Sequence, residues 1–342
     1  MDSLFQAAAD AYRNGKRNQR QPSAAATGRT FDHLLSIAVA ARLSRDEQLL
    51  GRAASGARSR ALKAARNGQL DIARQALSES AQILQSGVLS AEARLFLKSF
   101  HEAVAAYLDF KRGDPDLARA RVERALAADC VLISQYGYDI LELHRIQLGH
   151  NLMRVEARFG EPQQATAIGA ALLSYTEGDN SSWPFPRFGD GARPDHLPDE
   201  LAEAMVIQIS GELAILLAGK PAEETVHLLS VALPHIEGIA TDRCNDHLLA
   251  HQWLRAKWGF ARQAWPAFFE NLSDLLRDGL ADAPLLWRAS VADLYVACEA
   301  LDTDGAEALR REIAEDVRAW PRVPEPVRAV FARSREATAV SI

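Results

Sequence analysis

Cysteine is scarce in this 342-residue chain: Cys130, Cys244 and Cys298 are all it has. Three widely separated thiols do not make a disulfide framework, and this usage fits a reducing compartment in which each serves as a small core residue. Long hydrophobic runs are missing as well. The best, Leu34 to Leu43, spans about ten residues against the roughly 18 that a membrane helix needs, so no membrane partner is expected. The opening Met1-Asp2-Ser3 has no basic segment, apolar core or small-residue cleavage site behind it. A cytoplasmic location is therefore expected, without a secretory leader. Lysine numbers only six, so positive charge is mostly arginine. The chain also lacks Gly-x-Ser-x-Gly, a phosphate-binding Walker loop, His-Glu-x-x-His and Gly-x-Gly-x-x-Gly, which removes the common hydrolase, nucleotide and zinc-protease signatures. No cofactor is expected. Paired carboxylates at Glu223-Glu224 and Asp199-Glu200 sit near helix starts, where negative charge is favourable without any catalytic role.

What the chain does have is 48% hydrophobic and 25% charged residues, the balance of a folded protein. Its length exceeds one ordinary core, which leaves two domains or one elongated array. The net charge of −6 exerts no global pull toward nucleic acid or anionic lipid, although a local basic face is compatible with it.

Alanine, leucine, arginine, glutamate and glutamine dominate, and β-branched runs of strand length are absent, so the chain reads as helical nearly throughout. The helices come in pairs. An alanine-rich helix ends at a glycine and a second begins within a few residues, at Gly68, Gly113, Gly160, Gly219 and Gly259. Glycine ends a helix in the left-handed conformation at little steric cost. Pro115, Pro162 and Pro221 suit the first turn of the next helix, and Asp114 can cap it. Alanine five residues after the glycine (Ala73, Ala118, Ala165, Ala264) leaves room for paired helices to approach; Glu224 breaks that rule. The glycines are spaced 45, 47, 59 and 40 residues apart, a period that signals a solenoid. Helix pairs are expected at 46–86, 90–132, 138–177, 199–237, 243–277 and 284–317.

These positions resemble tetratricopeptide-repeat (TPR) proteins: Ala106-Tyr107, Gly113, Ala118, Val122 and Ala125 match that family's small, aromatic, turn and packing positions. The period of about 45 departs from the family's roughly 34, so the helices are longer. The resemblance covers about residues 46 to 317 and implies an all-α fold, a right-handed α-solenoid of about six TPR-like helix pairs with extra terminal helices. The expected organisation is 1–45 as N-terminal helices and a basic linker capping the array, 46–178 as pairs one to three, 179–198 as an inserted loop, 199–319 as pairs four to six, and 320–342 as a C-terminal helix and tail. Within the first segment, residues 1–14 read as an amphipathic helix, 14–29 as a polar linker and Phe31 to Leu43 as an apolar helix, followed by the capping-box sequence Ser44-Arg45-Asp46-Glu47.

Functional candidates lie on the first helices of the pairs, which line the concave face in this architecture. His144, Gln147, Asn151, Arg154 and Arg158 recur at three- and four-residue steps; Arg94, Lys98, His101 and Arg112 share a side, as do His247, His251 and Arg255. Brought together they make a positive groove for an acidic peptide, a carboxylate or a phosphorylated ligand; left apart they are a solvated face. The insertion carries Trp183, Phe185, Arg187 and Phe188 among prolines, too apolar for a merely solvated loop. It is either a lid or partner contact, or a plug between helix pairs. Trp253, Trp258, Trp265 and Trp287 fit core positions better than a ligand cage. Cys244, His247 and His251 have metal-ligand spacing on one helical face, the alternative being a capped helix start. The basic linker carries too few charges for a nucleic-acid arm.

Three functions follow: a non-enzymatic scaffold holding a protein or peptide segment in the groove, a ligand-responsive regulatory or accessory protein of a signalling or biosynthetic pathway, and a metal-dependent enzyme centred on Cys244, His247 and His251. The oligomeric state is left open by the sequence.

Overall fold

The computed structural model describes the chain except for residues 18–23, 189–197, 238–244, 302, 321–322 and 340–342. Fifteen α-helices and two short 3-10 turns account for its regular structure, with no strand among the described residues. The helices belong to two compact units: one is continuous, Ala25–Ala202, and the other joins Met1–Ala24 to Glu203–Ile342.

Helix α1 (Asp2–Gly15) opens the chain and belongs to the discontinuous unit. The continuous unit follows with α2 (Ala24–Arg42), α3 (Arg45–Arg66), α4 (Leu70–Leu84), α5 (Ala91–Arg112), α6 (Pro115–Tyr136), α7 (Leu141–Phe159) and α8 (Pro162–Thr176). Helix α3 packs on α4, α5 on α6 and α7 on α8. Helix α2 starts seven residues before the expected Phe31, because Ala24-Ala25-Ala26 is a strong helix former inside what composition marked as linker.

Local chemistry explains the boundaries. Ser44 Oγ accepts from the Glu47 amide, and the Ser44 amide donates to the Glu47 carboxylate at 2.9 Å, a reciprocal cap. The other Glu47 oxygen accepts from the Ser90 amide at 2.8 Å, which ties the start of α3 to that of α5. These bonds, those from Ser90 first, bring the Glu47 carboxyl down to about 2. Gly113 ends α5 at φ +81°, and Asp114 caps α6 by accepting from the Leu117 amide at 3.1 Å. Ala73, Ala118 and Ala165 are fully buried. Gly160 has extended φ and ψ instead of the expected left-handed turn; a Cβ there would overlap the carboxylate of Glu156, which Arg119 holds at 2.6 Å.

The discontinuous unit continues with α9 (Asp199–Leu217), most of which it contains, then α10 (Ala222–Glu237), α11 (Asn245–Ala261), α12 (Trp265–Asp282), α13 (Pro284–Leu301), α14 (Asp304–Val317) and α15 (Glu325–Ala339). Here Gly259 is not a helix terminator. It lies inside α11, where a Cβ would press on the Phe268 backbone of α12; the left-handed turn comes later at Gln263, and Ala264 is exposed. Trp253 and Trp287 are buried, and the Trp287 indole donates to the Leu276 carbonyl at 2.9 Å.

Residues 1–45, read from sequence as one capping segment, are divided between the units. Helix α1 needs an apolar partner for Phe5, Ala8, Ala9 and Tyr12, and finds it on α12 to α14. Tyr12 stacks on Trp287 at 5.8 Å and donates to Asp316 at 2.5 Å, while Arg13 and Lys16 reach Glu312 at 3.0 and 2.7 Å.

Candidate functional site

A small, partly open cleft of about 20 Å³ lies within the continuous unit, walled by Ala106, Tyr107 and Phe110 of α5, Val122 of α6, and Asn151, Arg154 and Val155 of α7. The α7 spacing explains its polar side: Asn151, Arg154 and Arg158 are three and four residues apart and so share one face. The Arg154 and Arg158 guanidinium groups both lie over the Phe110 ring, 5.6 and 5.4 Å from its centroid, and Lys111 lies over Tyr107 at 5.7 Å. Each exposed cation–ring contact contributes about 0.5–1 kcal/mol and holds the cation in place. Beside the cleft, burial and the charge of Arg154 push the His150 imidazole down to about 3, which keeps it neutral. An apolar wall, an amide and two held cations suit an apolar group followed by an acidic one.

The remaining members of the expected strip do not gather there. His144 turns inward: it is 6% exposed, stacks on Phe100 at 4.3 Å and donates through Nδ1 to Asp129 at 2.8 Å. Gln147 is half-buried. On α5, Arg94 is exposed and donates to the Ser86 and Leu89 carbonyls, Lys98 is exposed, and the His101 Nδ1 meets the Ser80 hydroxyl at 3.1 Å. Arg255 is exposed on α11 of the other unit.

Sequence reasoning missed a polar layer. It separates an apolar cluster around Phe96, Leu97 and Leu141 from another around Ala61, Leu77 and Leu108. The layer holds Arg58, Ser80, Ser99, Glu102, Asp129 and His144, all buried. Ser99, His144 and Asp129 are the residue types of a hydrolytic triad wired in another order. Ser99 donates to Asp129 at 2.5 Å, so the carboxylate receives both partners and no base takes the hydroxyl proton. Glu102 accepts from Arg121 and Arg124 at 3.1 Å each.

Residues 179–188 of the insertion fold back on their own unit; 189–197 lie outside the described residues. Trp183 is 6% exposed, packs on Tyr175 at 5.0 Å and Phe185 at 5.4 Å, and carries the Arg145 guanidinium over its ring at 4.4 Å. Phe185 fills the space left by the absent side chain of Gly149. The Phe188 carbonyl accepts from Arg145 at 3.0 Å and from the Cys130 thiol, and exposed Arg187 pairs with Glu123. Below the loop, Glu142 accepts from Arg145 at 2.8 Å and from the Tyr175 hydroxyl at 2.7 Å; burial pushes its carboxyl up against that pairing. Two 3-10 turns, Asn180–Ser182 and Pro186–Phe188, complete this packing.

Of the metal candidates, Cys244 lies outside the described residues. His247 is buried and His251 half-buried on α11. Among the described residues no three His, Cys, Asp or Glu side chains are grouped to hold an ion, and no helix is long and apolar enough to cross a membrane. No family model, curated protein or solved structure matches the chain.

Proposed function

We propose that this protein is a non-enzymatic, cytoplasmic scaffold: a TPR-like right-handed α-solenoid that binds an acidic peptide segment of a partner protein along the first helices of its pairs. The observation that carries this reading is the convergence of Arg154 and Arg158 over Phe110 at the mouth of the cleft. An aromatic wall with neighbouring arginines is the make-up of an interface anchor, and cations already held in place lose little freedom when a carboxylate arrives. In support, Trp183 and Phe185, the loop residues expected to meet a partner, are occupied in packing on α7 and α8.

The test is fluorescence polarisation against a set of synthetic peptides that pair an apolar residue with one to three acidic ones. Arg154→Glu combined with Arg158→Glu is expected to weaken the best binder at least about 10-fold, because two charge-assisted contacts become repulsions, with helicity unchanged. Equal affinity in both proteins would refute the cleft as the binding surface.

A further inference from the structure

Arg58 of α3 is 8% exposed, and its Nη1 is buried without a hydrogen-bond partner. No carboxylate among the described residues pairs with it; the guanidinium instead lies over the Phe100 ring of α5, 5.7 Å from the centroid. Other deeply buried cations have acids: Arg145 has Glu142 at 2.8 Å and Lys257 has Asp293 at 2.7 Å. Burial alone pulls the Arg58 guanidinium down to about 10. A desolvated cation without an acid is strongly unfavourable for a fold, and a countercharge supplied from outside the chain would remove that cost.

The surroundings suit such a visitor. His101, next to Phe100, uses Nδ1 on Ser80, and its Nε2 has no hydrogen-bond partner among the described residues. Glu102, the neighbouring acid, is taken by Arg121 and Arg124. Phe100 is itself stacked on His144 at 4.3 Å, which fixes the ring that orients the guanidinium fork.

We propose that Arg58, with His101 beside it, forms a binding site for a single oxyanion, a carboxylate or a phosphate group, between α3 and α5. It shares no residue with the cleft at Phe110, and it stands whether or not that cleft binds peptide.

Calorimetric titration of the full chain with sodium phosphate, and separately with sodium acetate, tests the site against sodium chloride at matched ionic strength. Saturable binding of at least one oxyanion is expected. Arg58→Met should weaken it at least about 10-fold while raising the melting temperature of the anion-free protein, because the unpaired charge is gone. Preference for phosphate assigns the site to phosphorylated ligands, and preference for acetate assigns it to carboxylates. Should Arg58→Met not fold, His101→Gln, which keeps a polar side chain at a half-buried position, is expected to weaken binding roughly threefold. The Arg154→Glu/Arg158→Glu protein should bind the anion as the parent does; loss there would move the anion to the cleft and overturn the assignment. An oxyanion response no greater than that of chloride, or one unchanged in both Arg58→Met and His101→Gln, overturns it too.

Discussion

The two units are built from the same alanine- and leucine-rich helices, yet their interiors differ. Five of the six tryptophans belong to the discontinuous unit. Trp287 stacks between Tyr12 and Trp320, at 5.8 and 5.5 Å, Phe5 meets Phe269 edge-on at 5.7 Å, and Tyr295 meets Phe331 at 5.1 Å. Its buried charge is a closed pair, Lys257 donating to Asp293 at 2.7 Å. In the continuous unit small apolar clusters are divided by a layer of buried polar groups, and one of those, Arg58, has no acid among the described residues. Large rings confer stability through buried area, whereas a polar layer gives up some of that stability and gains placed donors and acceptors. Both surfaces proposed to bind a ligand, the cleft at Phe110 and the surroundings of Arg58, belong to the continuous unit.

The largest expected effect tests the aromatic side of that contrast. Trp287→Ala removes the ring on which α1 rests and the indole bond to Leu276, and should cost about 3–5 kcal/mol. Segment-resolved hydrogen exchange should show protection lost in α1 and in α12 to α14. A cost below about 1 kcal/mol would mean that the rings fill space without anchoring the unit.

Much of the fold was legible because its signals are local. Ser44 with Glu47, and Gly113 with Asp114, form their caps within a few residues, and Ala73, Ala118 and Ala165 sit at a fixed offset from the preceding glycine. Gly259 misled because glycine serves two purposes, ending a helix and letting a neighbouring backbone approach, and only the tertiary contact with Phe268 tells them apart. Trp183 was readable as a packing residue from its composition alone, but the surface it packs on was not. The site was half legible. Asn151, Arg154 and Arg158 follow from helical spacing, whereas Glu142 and Arg145 depend on Tyr175 and Phe188, 33 and 43 residues away. Arg58 gives no local sign at all: it lies inside the helix expected at the start of 46–86, two residues before Arg60, which pairs with Glu79 at the surface.

Acid sharpens the comparison from the polar side. His150 is held at about 3 in the folded protein, against an ordinary value of 6.5. Below pH 6.5 the unfolded chain takes up a proton that the folded one refuses. The stability contribution is therefore complete above 6.5 and is lost progressively as pH falls toward 3, with a slope of at most about 1.4 kcal/mol per pH unit. Urea titrations from pH 7 to pH 4 should show this slope in the parent and a flatter one in His150→Gln. Equal slopes would mean that the imidazole is solvated and that the layer beside the cleft is less dry than its packing indicates.

The smallest effect concerns how the continuous unit joins the starts of its first helix pairs. Ser44 and Glu47 cap α3, and Glu47 also accepts from the Ser90 amide, so one carboxylate joins two helix starts. Ser44→Ala should cost about 1 kcal/mol at neutral pH. Glu47→Gln keeps the shape and removes the charge, and its effect carries a pH signature. Because the folded carboxyl sits at about 2 against an ordinary 4.5, its contribution is full above 4.5 and disappears as pH falls through about 2. Urea melts of the parent and of Glu47→Gln should differ at pH 7 and converge near pH 2. A difference that persists at pH 2 would assign the cap to hydrogen-bond shape alone, and the polar side of the comparison would then rest on geometry instead of charge.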